Sequence, residues 1–186
     1  MAEPNASEDG GLVLGDSQLL AALQDAMQEV FTTMVFTICE SAVHKADDAD
    51  PRRREDGIAV AGPDGDAVYT KFDIDAEVEF RGDLNGWVVL RCSAQGAMDI
   101  ARGLLMLEEG DALDVAEAAD AIGECANMVT GVVKTKMLDP QGDFEIGCPK
   151  INLDQGERPA VRAGTLAYHL ERGVVAVEIW IYEGQS

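Results

Sequence analysis

The chain reads as an α+β fold, one antiparallel sheet with two long helices packed on it, and three observations carry that reading. Two apolar runs, near residues 19–38 and 115–133, repeat at helical spacing. Each is followed downstream by a hairpin pattern, turning at Asn85-Gly86 and at Arg172-Gly173. The helices also share a faint repeat: Asp25-Ala26-Met27-Gln28-Glu29-Val30-Phe31-Thr32 aligns with Asp120-Ala121-Ile122-Gly123-Glu124-Cys125-Ala126-Asn127. A helix-plus-hairpin unit used twice builds one sheet with two helices on it.

The elements follow in order. Residues 1–15 read as an acidic flexible tail, and residues 16–186 as one domain. Asp16 or Ser17 can cap the first helix by accepting a backbone N–H. Its apolar face is Leu19, Leu20, Leu23, Met27, Val30, Phe31, Met34, Val35 and Ile38, and it ends near His44. Residues 45–57, with the basic run Arg52-Arg53-Arg54, read as a surface loop, and Gly62-Pro63-Asp64-Gly65 as a turn. Ile74, Ala76, Val78 and Phe80 then alternate with Asp75, Glu77, Glu79 and Arg81, the period of a half-buried strand. Residues 87–92 return as its hairpin partner, and a short helix spans Ala97–Leu107. The second long helix starts at Asp111 or Asp114 and runs to about Leu138, before Asp139-Pro140. Residues 144–151, 161–170 and 174–182 read as strands.

Composition removes several classes of function. The chain has 186 residues with 14 Lys plus Arg against 35 Asp plus Glu, a net charge of −21. Such an excess of carboxylates opposes nucleic acid, where Lys and Arg must replace counterions along the phosphates. It opposes an anionic membrane surface equally. A hydrophobic share of 47% suffices for a core. Cys39, Cys92, Cys125 and Cys148 are widely spaced in apolar stretches, without a CxxC pair or Cys/His cluster, so no zinc site is expected. They read as reduced, mostly buried thiols of a cytoplasmic protein, since the acidic start is unlike a signal peptide and no apolar run spans a bilayer.

The chemistry concentrates on the second helix. Asn127 is a mediocre helix former, and Gly123 and Gly131 each cost about 1 kcal/mol against Ala in a helix interior. They leave a side-chain-poor patch in which Glu124 and Asn127, three residues apart, project from one face, with Asp120 before them and Lys134 beyond. A helix surface so stripped suits close approach by another molecule.

Asp120-x3-Glu124-x2-Asn127, with Pro149 further on, resembles the signature of the CheC/CheX/FliY chemotaxis phosphatases. The interval from Asn127 to Pro149 is one residue shorter than the usual pattern. Glu-Val-Phe-Thr-Thr-Met at 29–34 and Gly-Asp-Leu-Asn-Gly-Trp at 82–87 agree, and the resemblance covers residues 18–181. CheC proteins carry the Glu/Asn pair on both long helices, CheX proteins on one. Here Glu29 is followed by Thr32 where a second Asn would fall, so the chain resembles CheX.

The resemblance implies a phosphatase for the aspartyl phosphate of a CheY-like response regulator, terminating a chemotaxis or related two-component signal. Asn127 would orient the attacking water and Glu124 would pair with the receiver's active-site Lys. Asp120, Gly123, Gly131 and Lys134 would form the contact, and Pro149 would shape the loop behind the helix. The chain would bring no cofactor of its own, Mg²⁺ being expected in the receiver, and would form a homodimer through sheet edges. A second class stays open, a non-catalytic module of the same fold that binds receiver, chemosensory or flagellar-switch proteins. His44 and His169 read as packed or exposed side chains, the Met residues as core, and no Ser, Cys and His make a triad.

Overall fold

A computed structural model of the chain describes residues 16–35, 40–41, 58–61, 67–108, 110–152 and 160–182. The acidic tail at 1–15, the loop at 45–57 and the first helix beyond residue 35 lie outside the described residues. Helix α1 spans Asp16–Val30 and runs on into a π-helical turn, Phe31–Val35. Strands β1 (Glu40–Ser41), β2 (Ile58–Ala61), β3 (Ala67–Thr70), β4 (Ile74–Arg81) and β5 (Gly86–Cys92) follow. Helices α2 (Ala94–Leu104) and α3 (Val115–Val133) come next, α3 continuing through a second π-helical turn, Lys134–Leu138. Strands β6 (Glu145–Ile146), β7 (Lys150–Asn152), β8 (Ala160–His169) and β9 (Val174–Tyr182) complete the order.

The seven-stranded sheet is antiparallel, ordered β1-β8-β9-β5-β4-β6, with β7 also on β4. Its centre is the pairing of β5 with β9, where Val89 lies opposite Glu178. The hairpins β4–β5 and β8–β9 therefore stand back to back. The strand after α1 crosses to β8, and the strands after α3 cross to β4. Each half thus lends its edge strand to the other half's hairpin, which is the duplicated helix-plus-hairpin plan with edges exchanged.

One face of the sheet carries the helices. Val78, Phe80, Val88, Leu90, Val175, Val177 and Ile179 are fully buried there. They pack in one core with Leu23 and Met27 of α1 and with Ile122, Cys125, Ala126, Val129 and Val133 of α3. The alternation along β4 supplies this face as expected, but its polar side is not simply solvated. Asp75 is 1% exposed, because Arg91 sits across from it on β5 and donates from Nε to Oδ1 at 3.1 Å. Arg91 also lies 3.6 Å from Glu178, which accepts from Arg162 at 3.3 Å and from the Trp180 indole at 2.8 Å. Buried charges persist only when paired in this way.

Helix α2 starts three residues earlier than its apolar pattern predicts, because the Ser93 hydroxyl accepts from the Gly96 amide and caps it. Asp99 in its middle accepts from both the amide and Nε of Arg172, each at 2.8 Å, pinning the β8–β9 turn. A Cβ at Gly173 would stand 2.0 Å from the Gly96 nitrogen, so that contact requires glycine. Strands β2 and β3 pair antiparallel, which the sequence pattern does not predict, and the turn expected at residues 62–65 lies outside the described residues. Cys92 and Cys125 are buried, but Cys148 is exposed. Burial pushes the Cys92 thiol well above its usual range. Met34 and Met106 are exposed, at 48% and 74%, so core spacing misplaces them.

Candidate functional site

Helix α3 is fixed at both ends, which sets the pitch of its outer face. Asp114, rather than Asp111, is the cap: its Oδ1 accepts from the Glu117 amide at 2.8 Å and Glu117 accepts from the Asp114 amide at 3.0 Å. This reciprocal pair is a capping box. At the far end the Asp139 amide donates to the Lys134 carbonyl at 2.9 Å, closing the π-helical turn ahead of Pro140. Between the caps Ile122, Cys125, Ala126, Val129 and Val133 point into the core, and Thr130 donates to the Ala126 carbonyl at 2.7 Å.

The opposite face carries the stripe. Asp120 and Glu124 are exposed, and Asn127 and Gly131 are half-buried. Among the described residues no hydrogen bond or ion pair holds Asp120, Glu124 or Asn127, so their polar atoms face outward unspent.

The two glycines do different work. A Cβ at Gly131 would meet nothing within 4 Å, so the helix is bare to solvent there. Gly123 is buried, and a Cβ there would stand 2.9 Å from Ile151 Cδ1 and 3.7 Å from Pro149 Cβ. Gly123 thus receives the strand β7 and its approach from Pro149, a packing role within the chain rather than a bare surface. Pro149 and Gly123 together form one wall of the stripe. Sequence spacing could not separate these roles, since both glycines interrupt the same helix.

Lys134 is half-buried and its Nζ donates to both carboxylate oxygens of Asp139, at 2.7 and 2.8 Å. Asp139 was not singled out in the sequence; its position five residues after Lys134 is not a helical neighbour spacing, and the π-helical turn is what joins them. On α1, Glu29 is spoken for as well: the Lys136 ammonium lies 2.6 Å from its carboxylate and its charge is stabilised by that bond. Thr32 is exposed beside it. At the position on α1 that corresponds to the stripe, Glu29 is thus paired and Thr32 stands in place of an amide, whereas Glu124 and Asn127 on α3 are unspent among the described residues.

On the sheet face away from the helices, the ends of β4 and β9 carry a second polar group of contacts. Arg81 donates to Glu79 at 2.8 Å, and the Tyr182 hydroxyl donates to the other Glu79 oxygen at 2.7 Å. The Arg81 hydrogen bond holds the Glu79 carboxyl below its ordinary range, against its partial burial. The Tyr182 phenol is pushed up to about 12, by burial first and then by the Glu79 carboxylate. Among the described residues no group of three or more His, Cys, Asp or Glu side chains could hold a metal ion. No described helix is long and apolar enough to cross a membrane.

Chemically the stripe offers a carboxylate for a cation and a carboxamide able to accept and donate at one water. Comparison with known proteins agrees with that form. The family model for the chemotaxis phosphatase CheX matches residues 74–170, which include the whole stripe and Pro149. The chemotaxis protein CheX from Vibrio vulnificus is 16% identical with a TM-score of 0.63, over 91% of this chain and 99% of that one. A CheC-like superfamily protein from Shewanella sp. PV-4 is 18% identical with a TM-score of 0.65, over 92% and 100%. A chain of the CheX–CheY–BeF3–Mg²⁺ complex from Borrelia burgdorferi is 18% identical with a TM-score of 0.57, over 88% and 97%. No curated protein matches. With the family model spanning more than half of its length and the signature residues standing on the outer face of α3, the chain belongs to the CheX family of chemotaxis phosphatases.

Proposed function

We propose that this chain dephosphorylates the aspartyl phosphate of a CheY-like receiver domain and so ends a chemotaxis or related two-component signal in the cytoplasm. The observation that carries the proposal is the open stripe: Glu124 and Asn127 stand on one face of α3 without partners among the described residues, next to the uncovered backbone at Gly131. The complex of CheX with CheY from Borrelia burgdorferi supports the choice of partner.

An acyl phosphate is labile, and its transfer passes through a loose transition state needing position more than covalent help. The receiver supplies Mg²⁺ and a lysine for the phosphoryl charge. What this chain adds is a water in line with the breaking P–O bond. The Asn127 carboxamide accepts one water hydrogen and donates to the water oxygen, fixing its orientation and removing that entropy from the barrier. Glu124, one turn earlier, pairs with the receiver's lysine and sets the depth of α3 in the pocket. Asp120 borders the contact on the N-terminal side. Pro149, seated on Gly123, holds the wall that keeps the stripe at its height.

We further propose that two copies join through their sheet edges. The resemblance to CheX, whose subunits join through sheet edges, supports this reading, and β8 with its short partner β1 forms one edge of the sheet. Sedimentation of the purified protein tests this, and a monomer at all concentrations refutes it.

The test of function is loss of phosphate from a phosphorylated receiver. The wild type should accelerate it. Glu124→Ala should raise KM, and Asn127→Ala should cost about a hundredfold or more in kcat, as lost positioning of a reacting group does. Binding without any acceleration would leave the non-catalytic module as the correct reading.

A further inference from the structure

We propose that Lys134 is a specificity-determining cation for the acidic surroundings of the phosphorylated carboxylate, and that Asp139 holds it in reserve until the partner docks. This rests on the reading of the Glu124–Asn127 stripe given above.

Lys134 continues the stripe beyond Asn127 and Gly131. Helical side chains lean toward the N-terminus, so a free Lys134 lies back over Gly131, where nothing stands in its way. Asp139 draws it in the other direction, accepting from Nζ with both oxygens at 2.7 and 2.8 Å. The two side chains keep 27% and 38% of their surface exposed, so the pair is a surface pair that exchanges at little cost. Beyond it lies an open concavity of about 740 Å³ whose lining includes Arg81, Lys134, Asp139 and Asp143, so water can take up the Asp139 carboxylate once Lys134 leaves. Lys136, the other base of this turn, is already committed to Glu29 on α1 at 2.6 Å. Of the two bases in this turn, Lys134 is therefore the one that follows Asn127 and Gly131 along the same helix face.

The need for a cation follows from charge. The chain carries −21, and Asp120 and Glu124 put two carboxylates into the stripe itself. A phosphorylated carboxylate pocket adds a phosphoryl group and the carboxylates that hold its divalent ion. A lysine swinging from Asp139 to one of those acids exchanges one ion pair for another and offsets the repulsion where it is greatest.

The experiment compares Lys134→Ala, Asp139→Asn and the double variant on a phosphorylated receiver, at low and at physiological salt, with each variant's thermal midpoint recorded. Lys134→Ala should raise KM about two- to fivefold, with the change in KM rather than kcat. Asp139→Asn should lower KM by a similar factor and steepen its salt dependence, because the competing carboxylate is gone. The double variant should match Lys134→Ala. A mere clamp on the helix end would move both single variants in the same direction, and that result, or no movement in either, overturns the inference. If Lys134→Ala melts early, Lys134→Gln replaces it. An inactive wild type sinks the phosphatase reading itself, whereas an active one whose KM ignores these changes sinks only the role of Lys134.

Discussion

Gly123 and Gly131 look alike in the sequence, and the structure separates them by what a methyl group would meet. Gly131→Ala places its Cβ in open space and gains helix propensity, so it should raise stability by about 1 kcal/mol. Gly131→Phe should stay folded yet slow dephosphorylation, because the ring covers the ground beside Asn127. Gly123→Val meets Ile151 at close range and should cost roughly 1–3 kcal/mol as overpacking. Urea denaturation of the three variants beside a turnover assay reads both quantities, and a fully active Gly131→Phe would show that no partner approaches there. At this level the stripe was legible before any coordinates: Asp120, Glu124 and Asn127 fall on one face by spacing alone. The engagement of Lys134 by Asp139 and of Glu29 by Lys136 was not, since each pair depends on the π-helical turn after Val133, which has no periodicity to announce it.

Among the elements, β4 teaches the most. Its alternation identified the core face correctly, but Asp75 looked like a solvated side chain and is buried in an ion cluster with Arg91 and Glu178. A carboxylate on a strand carries no sign of whether a guanidinium waits on the neighbouring strand; register decides that, and register is a property of the folded sheet. Arg91→Ala strips the pairing from buried Asp75 and Glu178 and should cost about 3–5 kcal/mol, read as a drop in the urea midpoint. A shift below about 1 kcal/mol would mean the cluster is wetter than its exposure says. The Glu79–Tyr182 contact makes a prediction in pH. The phenol's folded pKa, about 12, lies above the ordinary 10.0, so its contribution is complete below pH 10 and is lost as pH rises toward 12. Glu79 has the opposite sign: its folded pKa is below 4.5, so its contribution is present above that and lost as pH falls. Tyr182→Phe should therefore flatten the alkaline limb of stability and Glu79→Gln the acid limb, each relative to wild type. Unchanged limbs in both variants would contradict the contact.

Taken together the chain is a helix-plus-hairpin unit used twice, and the function proposed above places the working face on the α3 copy alone. The back-to-back hairpins and exchanged edge strands make the two long helices equivalent in plan, while Glu29 is absorbed by Lys136 and Thr32 replaces the amide. The repeat was visible as eight aligned residues; the exchange of edges was not, because strands of two and three residues leave almost no pattern. The charge of −21 acts on the whole molecule as self-repulsion. Raising the ionic strength from about 0.01 M to 0.15 M shortens the Debye length from about 30 Å to about 8 Å and should raise the melting temperature. A midpoint that falls with salt would mean that local pairs, such as Lys134 with Asp139, outweigh the net charge.

The mechanism stands or falls on the Asn127 amide. First-order decay of the acyl phosphate on a CheY-like receiver, followed with saturating wild type and with saturating, folded Asn127→Ala, isolates that side chain from docking. The wild type should shorten the phosphate's lifetime by at least about a hundredfold, and the variant, though bound, should return it nearly to the receiver's own. Equal lifetimes with the two proteins would contradict the assignment of Asn127 as the residue that places the water.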